Sequence, residues 1–368
     1  MKKNHFERIR LMAMQVSPEK TTEAARVVLA PLAEVTDGAF RAMAFACGAD
    51  AATTEMVSAA GLVRGSRNTP PLLERLPDER DRPLSAQLYG HDPDELAEAT
   101  RRVAALGRFA AVDLNAGCPM RRIVENGDGA ALMRDPALLG RCVAAMARAA
   151  APLPVTVKTR IGTDPEHPCP ALLARVCEEN GAALVAVHGR YASQAHAGPV
   201  DLSRIAEAVA AARIPVLANG GVRSAADAIA TLRATGAAGV MVARGAVGAP
   251  WIFGEIRAAL SGAEPPPPPS VAERAALARR HVALALAWHC LLRERFPTAS
   301  PLDPEAAVVL DFRRHLFNYF RGLPGAAALR RRMGEMRGVA DILAAIDEAF
   351  PDAADGAAAS EPAPPRRN

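Results

Sequence analysis

Cys118 lies three residues after Asn115 in the run Asp113-Leu114-Asn115-Ala116-Gly117-Cys118-Pro119. A free cysteine is usually an inert small hydrophobe. One that leaves a strand end between turn-forming residues can instead reach a substrate as an acid or a nucleophile. Lys158 and Arg160 stand two apart at the end of Pro154-Val155-Thr156-Val157. Strand alternation points them the same way, and a lysine behind an apolar run needs an anionic partner. His188 follows the run Leu184 to Val187 and is either a satisfied core residue or a site group at a strand end. Asn219-Gly220-Gly221 and Arg244-Gly245 are glycine loops after successive strand-like runs. Each alone reads equally well as a tight turn needing positive φ. Together they favour a phosphate-bearing ligand held by backbone N–H groups. No Ser-His-Asp arrangement, P-loop or metal-ligand spacing competes: His281, His289 and His315 lie among helical residues, and no metal is expected.

These residues need a scaffold that brings strand ends together. Eight short β-type runs recur between residues 27 and 245: Val27 to Ala30, Ala51 to Thr54, Leu84 to Gln87, Ala111 to Asn115, Val155 to Thr159, Leu184 to Val187, Val216 to Ala218 and Gly239 to Ala243. Ala-rich stretches of helical length separate them. Asp92-Pro93, Asp135-Pro136 and Ser224 before Asp227 read as helix starts. Eight alternating units predict an α/β fold, a (β/α)₈ TIM barrel, followed by a smaller all-helical C-terminal domain. In such a barrel the strand ends that carry the residues above form the catalytic face.

The predicted domains are an N-terminal extension over 1–26, poorly ordered; the barrel over 27–260; a proline-rich linker over 261–270 (SGAEPPPPPS); a helical domain over 271–350; and a disordered tail over 351–368. In the helical domain Val309, Phe312, Leu316 and Phe320 recur at helical spacing, with Arg314 and Arg321 on the other side. Between 271 and 338 stand twelve arginines and six acids, a local excess that suits phosphate contact more than base stacking, since few aromatics interleave.

Composition sets the outer bounds. The chain has 368 residues, 50% hydrophobic and 23% charged, which excludes a disordered chain and a small stapled fold. Six scattered cysteines without a C-x-x-C pair exclude a zinc ribbon and a disulfide framework, and point to a reducing cytoplasm. The five other than Cys118 are expected to be structural. Apolar stretches are too short for a membrane span, and residues 1–26 lack a signal-peptide apolar core. A net charge of +4 permits a polyanionic partner without demanding one.

Ordered motifs from about residue 27 to 335 resemble the flavin-dependent tRNA-dihydrouridine synthases. They are Ala30 to Asp37 (APLAEVTD), Gln87 to Gly90 (QLYG), Asp113 to Pro119 (DLNAGCP), Gly127 to Pro136 (GDGAALMRDP), Val155 to Gly162 (VTVKTRIG), Val187 to Arg190 (VHGR) and Gly322 to Gly325 (GLPG). The resemblance implies an enzyme that reduces the C5=C6 bond of particular uridines in tRNA with FMN and NADPH, by a barrel that carries the flavin and a helical domain that helps hold the tRNA. Cys118 would be the acid that protonates C5. Pro31, Leu32, Ala33, Gln87, Lys158, Asn219, Gly220, Gly221, Ala243 and Arg244 would hold FMN. Asn115, Arg160 and His188 would line the flavin and uracil space, and Arg314, Arg321 and Arg331 are the candidates for tRNA contact. A monomer without membrane or metal partners is expected.

Some positions depart from the family pattern. Leu32 and Glu34 stand where Met and Gly are common, Gly221 where an Asp is common, and Gln194 to Ser203 lacks a frequent Trp. Three other readings compete. An FMN barrel reducing a small molecule, of dihydroorotate or enoate type, needs no basic helical appendage. A catalytically silent tRNA-binding homologue would not be a yellow protein bleached by NADPH. A flavin-free phosphate-binding isomerase has no use for Cys118.

Overall fold

The structure is a computed structural model and describes residues 26–351. The extension over 1–26 and the tail over 351–368 lie outside the described residues, apart from Arg26, which opens the first strand, and Pro351. Eight parallel strands close into a barrel in sequence order: β1 (Arg26–Leu29), β2 (Ala51–Ser58), β3 (Leu84–Tyr89), β4 (Ala111–Ala116), β5 (Val155–Arg160), β6 (Ala182–His188), β7 (Val216–Asn219) and β8 (Gly239–Val242). All eight expected strands form, most with ends displaced by one or two residues.

β2 is the largest departure, running four residues past Thr54. Its register against β3 shifts between Thr53 and Met56. The Thr54 hydroxyl donates to the Glu55 carbonyl and accepts from the Gln87 amide, so the irregular step is satisfied and pairing resumes beyond it.

Alternation divides each strand between two environments. Val27, Leu29, Val112, Leu114, Val185, Val187, Val240 and Val242 are fully buried on the helix side. Inside the barrel, Val28, Ala30, Ala186, Leu217 and Met241 pack as an apolar cluster contributed by β1 and β6–β8. The interior positions of β3–β5 are polar instead: Gln87, Asp113 and Thr156.

The helices begin where the side chains supply caps. Asp92 accepts from the Asp94 and Glu95 amides at the start of helix Pro93–Ala105, Asp135 from Leu138 before Pro136–Ala150, and Ser224 from Asp227 before Ala225–Thr235. The buried Arg41–Glu79 pair, 2.7 Å apart, ties the turn after β1 to the segment before β3, since Arg41 also donates to the Thr36 and Glu74 carbonyls.

The chain divides into two compact units, 1–246 with 250–266 and 267–368 with 247–249. The division falls inside the proline run, between Pro266 and Pro267. The second unit contains helices Val271–Arg295, Pro304–Tyr319, Ala326–Arg332 and Val339–Ala349. Ser270 and Glu273 form a capping box at its start, and Asp303 caps the second helix. Its core includes Trp288, Phe312, Leu316, Tyr319, Phe320, Ile342 and Ile346, with the Phe320 and Phe350 rings stacked at 4.3 Å. Among the described residues no helix is long and apolar enough to cross a membrane.

Candidate active site

Strand register assembles the site. Asn115 pairs beside Lys158, Arg160 beside His188, and His188 beside Asn219. Residues more than 100 positions apart in sequence thereby share one end of one barrel.

The loop after β4 is tied down at several points. The Asn115 side-chain oxygen accepts from the Gly117 and Cys118 amides at 3.1 and 2.9 Å, and the Cys118 carbonyl accepts from Ala130. Gly129 lies so close that a Cβ there would stand 2.8 Å from the Cys118 carbonyl oxygen. Cys118 itself remains partly exposed, as a reacting thiol requires. Arg160 secures the loop from the other side: Nε donates to the Gly117 carbonyl at 2.7 Å, and Nη1 donates to Tyr191 and Ala195. The guanidinium is thus buried and largely used in holding loops. Burial pushes Arg160 down to about 10, while the nearby Cys118 pulls it back up.

Lys158 enters the same space. Burial, then the Arg160 charge, push its ammonium down to about 8, against the opposing pull of Asp113. His188 is held well below the usual imidazole range by burial and by Lys158, Arg160 and Arg190. Arg190 Nη1 lies 3.2 Å from His188 Nε2. A guanidinium can only donate, so Nε2 accepts and the ring proton resides on Nδ1. His196 stacks on His188 at 6.3 Å and is also shifted down, first by burial and then by Arg160 and Arg244. Three arginines hold the loop carrying His196 by its carbonyls: Arg160 at Tyr191 and Ala195, Arg190 at Ala197 and Gly198, and Arg244 at His196.

The loops after β7 and β8 are built differently. Asn219 is buried and donates from its side chain to the Met241 carbonyl at 2.6 Å, locking the two strand ends together. Gly220 and Gly221 adopt φ of +109° and +80°, and a Cβ on Gly220 would stand 2.7 Å from His188 Cδ2. The N–H groups of Gly220, Gly221, Ala243 and Arg244 donate no hydrogen bond among the described residues. Four unsatisfied donors on two adjacent loops, beside cationic Lys158 and Arg244, form a cradle for an anionic group such as a phosphate. The Lys158 side chain likewise makes no direct hydrogen bond among the described residues. The donor set fits the phosphate and polar edge of a flavin mononucleotide.

Pro31, Leu32 and Ala33 form the turn after β1, which Thr36 closes by accepting from the Leu32 amide. Glu34 is exposed and holds φ of +60°, a conformation glycine takes without strain, and its amide donates to the Glu55 carboxylate. Gln87 is buried, with both ends of its amide engaged by Asp113 and Asn115. Arg314, Arg321 and Arg331 are exposed on the helical unit. Cys290, expected to be structural, is exposed. Among the described residues one group brings metal-ligand atoms close together, Asp164, Glu166 and His167, in which Asp164 Oδ1 bonds the Glu166 backbone amide and the His167 ring.

Asp113, Thr156, Arg190 and His196 were not singled out from sequence. Alternation could have found two of them: Asp113 stands two residues before Asn115, and Arg190 two after His188, on the same strand faces or their extensions.

A family model described as dihydrouridine synthase matches residues 28–355. A probable tRNA-dihydrouridine synthase of Mycobacterium tuberculosis is 37% identical over 369 residues, covering 96% of this chain and 90% of the relative. A probable tRNA-dihydrouridine synthase of Mycobacterium leprae is 38% identical over 82% of this chain and 77% of its own. A tRNA-dihydrouridine synthase B of Xanthomonas axonopodis is 40% identical over 70% and 76%.

Proposed function

The chain belongs to the dihydrouridine synthase family, and on that premise we propose that it reduces the C5=C6 bond of particular uridines in tRNA, with FMN as cofactor and NADPH as reductant. One observation supports the reading most. A tethered, partly exposed Cys118 and a cradle of undonated N–H groups at Gly220, Gly221, Ala243 and Arg244 share one barrel end.

FMN, when bound, supplies the hydride that reaches C6. Asn219 to Gly221 with Ala243 and Arg244 would hold its phosphate, and Lys158, Gln87 and Pro31 to Ala33 would contact the rest. As C6 gains the hydride, the C5=C6 electron pair shifts toward C5 and the conjugated carbonyl, and C5 must take up a proton. Cys118 supplies it: the S–H bond breaks, the C5–H bond forms, and a thiolate remains. The positive charges of Lys158 and Arg160 beside Cys118 stabilise that thiolate until solvent returns the proton. Asn115 fixes the loop that aims the thiol, and Arg160 holds the same loop against the segment Tyr191 to Ala195. His188, neutral with its proton on Nδ1, offers a hydrogen-bond donor to the ligand without adding charge.

A uracil inside folded tRNA reaches such a pocket only after flipping out of its stack. Arg314, Arg321 and Arg331 then contact the tRNA backbone.

Nucleoside analysis of tRNA from a strain lacking the gene tests the proposal. Dihydrouridine should vanish at one or more positions and return with the wild-type gene. An unchanged dihydrouridine map contradicts the assignment.

A further inference from the structure

We propose that Asp113 is a positioning residue for Cys118, acting through Gln87 and Asn115. This rests on the reading of Cys118 as the proton donor. The observation is a continuous chain of side-chain hydrogen bonds along the barrel interior. Asp113 accepts from Gln87 Nε2 at 2.7 Å and from the Thr156 hydroxyl at 2.5 Å. Gln87 Oε1 accepts from Asn115 Nδ2 at 2.9 Å. Asn115 Oδ1 accepts from the Gly117 and Cys118 amides. Gln87, Asp113 and Asn115 are all buried.

The polarity of this chain is locked at both ends. Backbone amides at 117 and 118 can only donate, so Asn115 must present its oxygen to them and its NH₂ to Gln87. Burial pushes the Asp113 carboxyl up, while hydrogen bonds from Gln87 and Thr156 and the Lys158 charge favour its ionised form. Ionised, it only accepts, so Gln87 must present its NH₂ there and its oxygen to Asn115. Turning Gln87 over sets donor against donor or acceptor against acceptor at two contacts, and turning Asn115 over does so at three. In a buried network each such mismatch is costly. Asp113 therefore selects one orientation for two amides and, through them, one position for the thiol-bearing loop. Sheet register explains the reach: Gln87 pairs beside Asp113, and Asp113 beside Thr156.

An ordinary structural role, or service only as counter-charge to Lys158, makes different forecasts. Asp113→Asn removes the charge but keeps the relay, since its oxygen can accept from Gln87 while its NH₂ donates to the Thr156 hydroxyl. Asp113→Leu removes the acceptor and leaves Gln87 unpaired. Two readouts are taken on the purified flavoprotein: amide hydrogen exchange of the segment containing Gly117 and Cys118, and single-turnover oxidation by unmodified tRNA. Asp113→Leu should speed exchange at 117 and 118 by about tenfold or more and, in the flavin-loaded fraction, slow the tRNA step by about tenfold or more. Asp113→Asn should stay within about threefold of wild type in both readouts.

Unchanged exchange at 117 and 118 in Asp113→Leu overturns the proposal. So does an Asp113→Asn protein as impaired as Asp113→Leu. A Cys118→Ala control separates the underlying reading: a normal tRNA step there removes Cys118 from the chemistry while the exchange result on the relay still stands. If Asp113→Leu does not fold, Gln87→Glu takes its place, because it sets a carboxylate against Asp113. Adding Asp113→Asn restores a donor opposite that carboxylate. Exchange at 117 and 118, measured with and without flavin, should then return toward wild type in the double variant; no return overturns the proposal.

Discussion

The two sides of the barrel mouth satisfy their backbone in opposite ways. After β4, the amides of Gly117 and Cys118 are spent on Asn115, and the Gly117 carbonyl on Arg160. After β7 and β8, the amides of Gly220, Gly221, Ala243 and Arg244 donate no hydrogen bond among the described residues, although the Asn219 side chain ties the two strand ends together. A loop that must hold one reactive atom at one position is best served by internal bonds that leave it a single arrangement. A loop that must receive an anion is best served by donors kept unsatisfied on a rigid base. On the proposed reading, the contrast assigns proton delivery to the β4 side and phosphate capture to the β7–β8 side.

Single substitutions should separate the two. Cys118→Ala should slow oxidation of the reduced flavoprotein by tRNA by roughly 10²- to 10⁴-fold, the size of lost acid catalysis. Flavin content and reduction by NADPH should be unaffected; equal loss in both half-reactions contradicts the division. Gly220→Ala attacks the other side. The added Cβ meets His188 and a φ of +109° at once. Strain of about 1–3 kcal/mol, relieved by shifting the loop, should weaken FMN retention by roughly 5- to 150-fold. Fluorescence titration of the stripped protein with FMN measures it, and Cys118 should keep its place in whatever flavin-loaded fraction remains.

Substitutions outside both sides serve as controls. Arg314, Arg321 and Arg331 replaced together by Glu should raise the apparent KM for tRNA about tenfold, at 0.2–1 kcal/mol per exposed charge. The salt dependence of tRNA binding should become shallower, and flavin reduction should not change. The smallest effect concerns the helical unit alone. His281 is fully buried beside the Tyr319 hydroxyl, and burial, then His315, keep its imidazole well below its ordinary value. A depressed folded value means the unfolded chain binds more protons, so this stability is present above pH 6.5 and lost as pH falls below it. Between pH 7 and 5.5 the loss should be about 1.3 kcal/mol. Urea titrations following Trp288 in a Trp251→Phe background would show it, and His281→Phe should flatten that pH dependence.

The barrel was legible because its signals are local. Asp92, Asp135 and Ser224 announced their helices and cap them, and eight strand-like runs became eight strands. Position at a strand end marked Cys118, Lys158, His188 and Asn219, and register then brought them together. What remained hidden depends on partners distant in sequence. Asp113 looks like one residue of a motif until Gln87, twenty-six positions earlier, is seen to bond it. Arg160 reads as a ligand-facing cation, whereas the carbonyls of Gly117, Tyr191 and Ala195 occupy most of its donors. His196 follows Ala195, which has φ of +48°, and no local pattern announces a ring aimed by a strained alanine and three arginine clamps. The extended β2 was missed for a similar reason, because the irregular step after Thr53 is satisfied by a Thr54 hydroxyl that accepts from Gln87, distant in sequence.

Single-turnover mixing tests the central claim most directly. Purified flavoprotein reduced with NADPH is combined, without oxygen, with an unmodified tRNA transcript, and flavin absorbance and nucleoside content are followed together. The account predicts that the flavin reoxidises at the rate at which dihydrouridine appears, one uridine reduced per flavin. Reoxidation without dihydrouridine, or no reoxidation by tRNA at all, would contradict it.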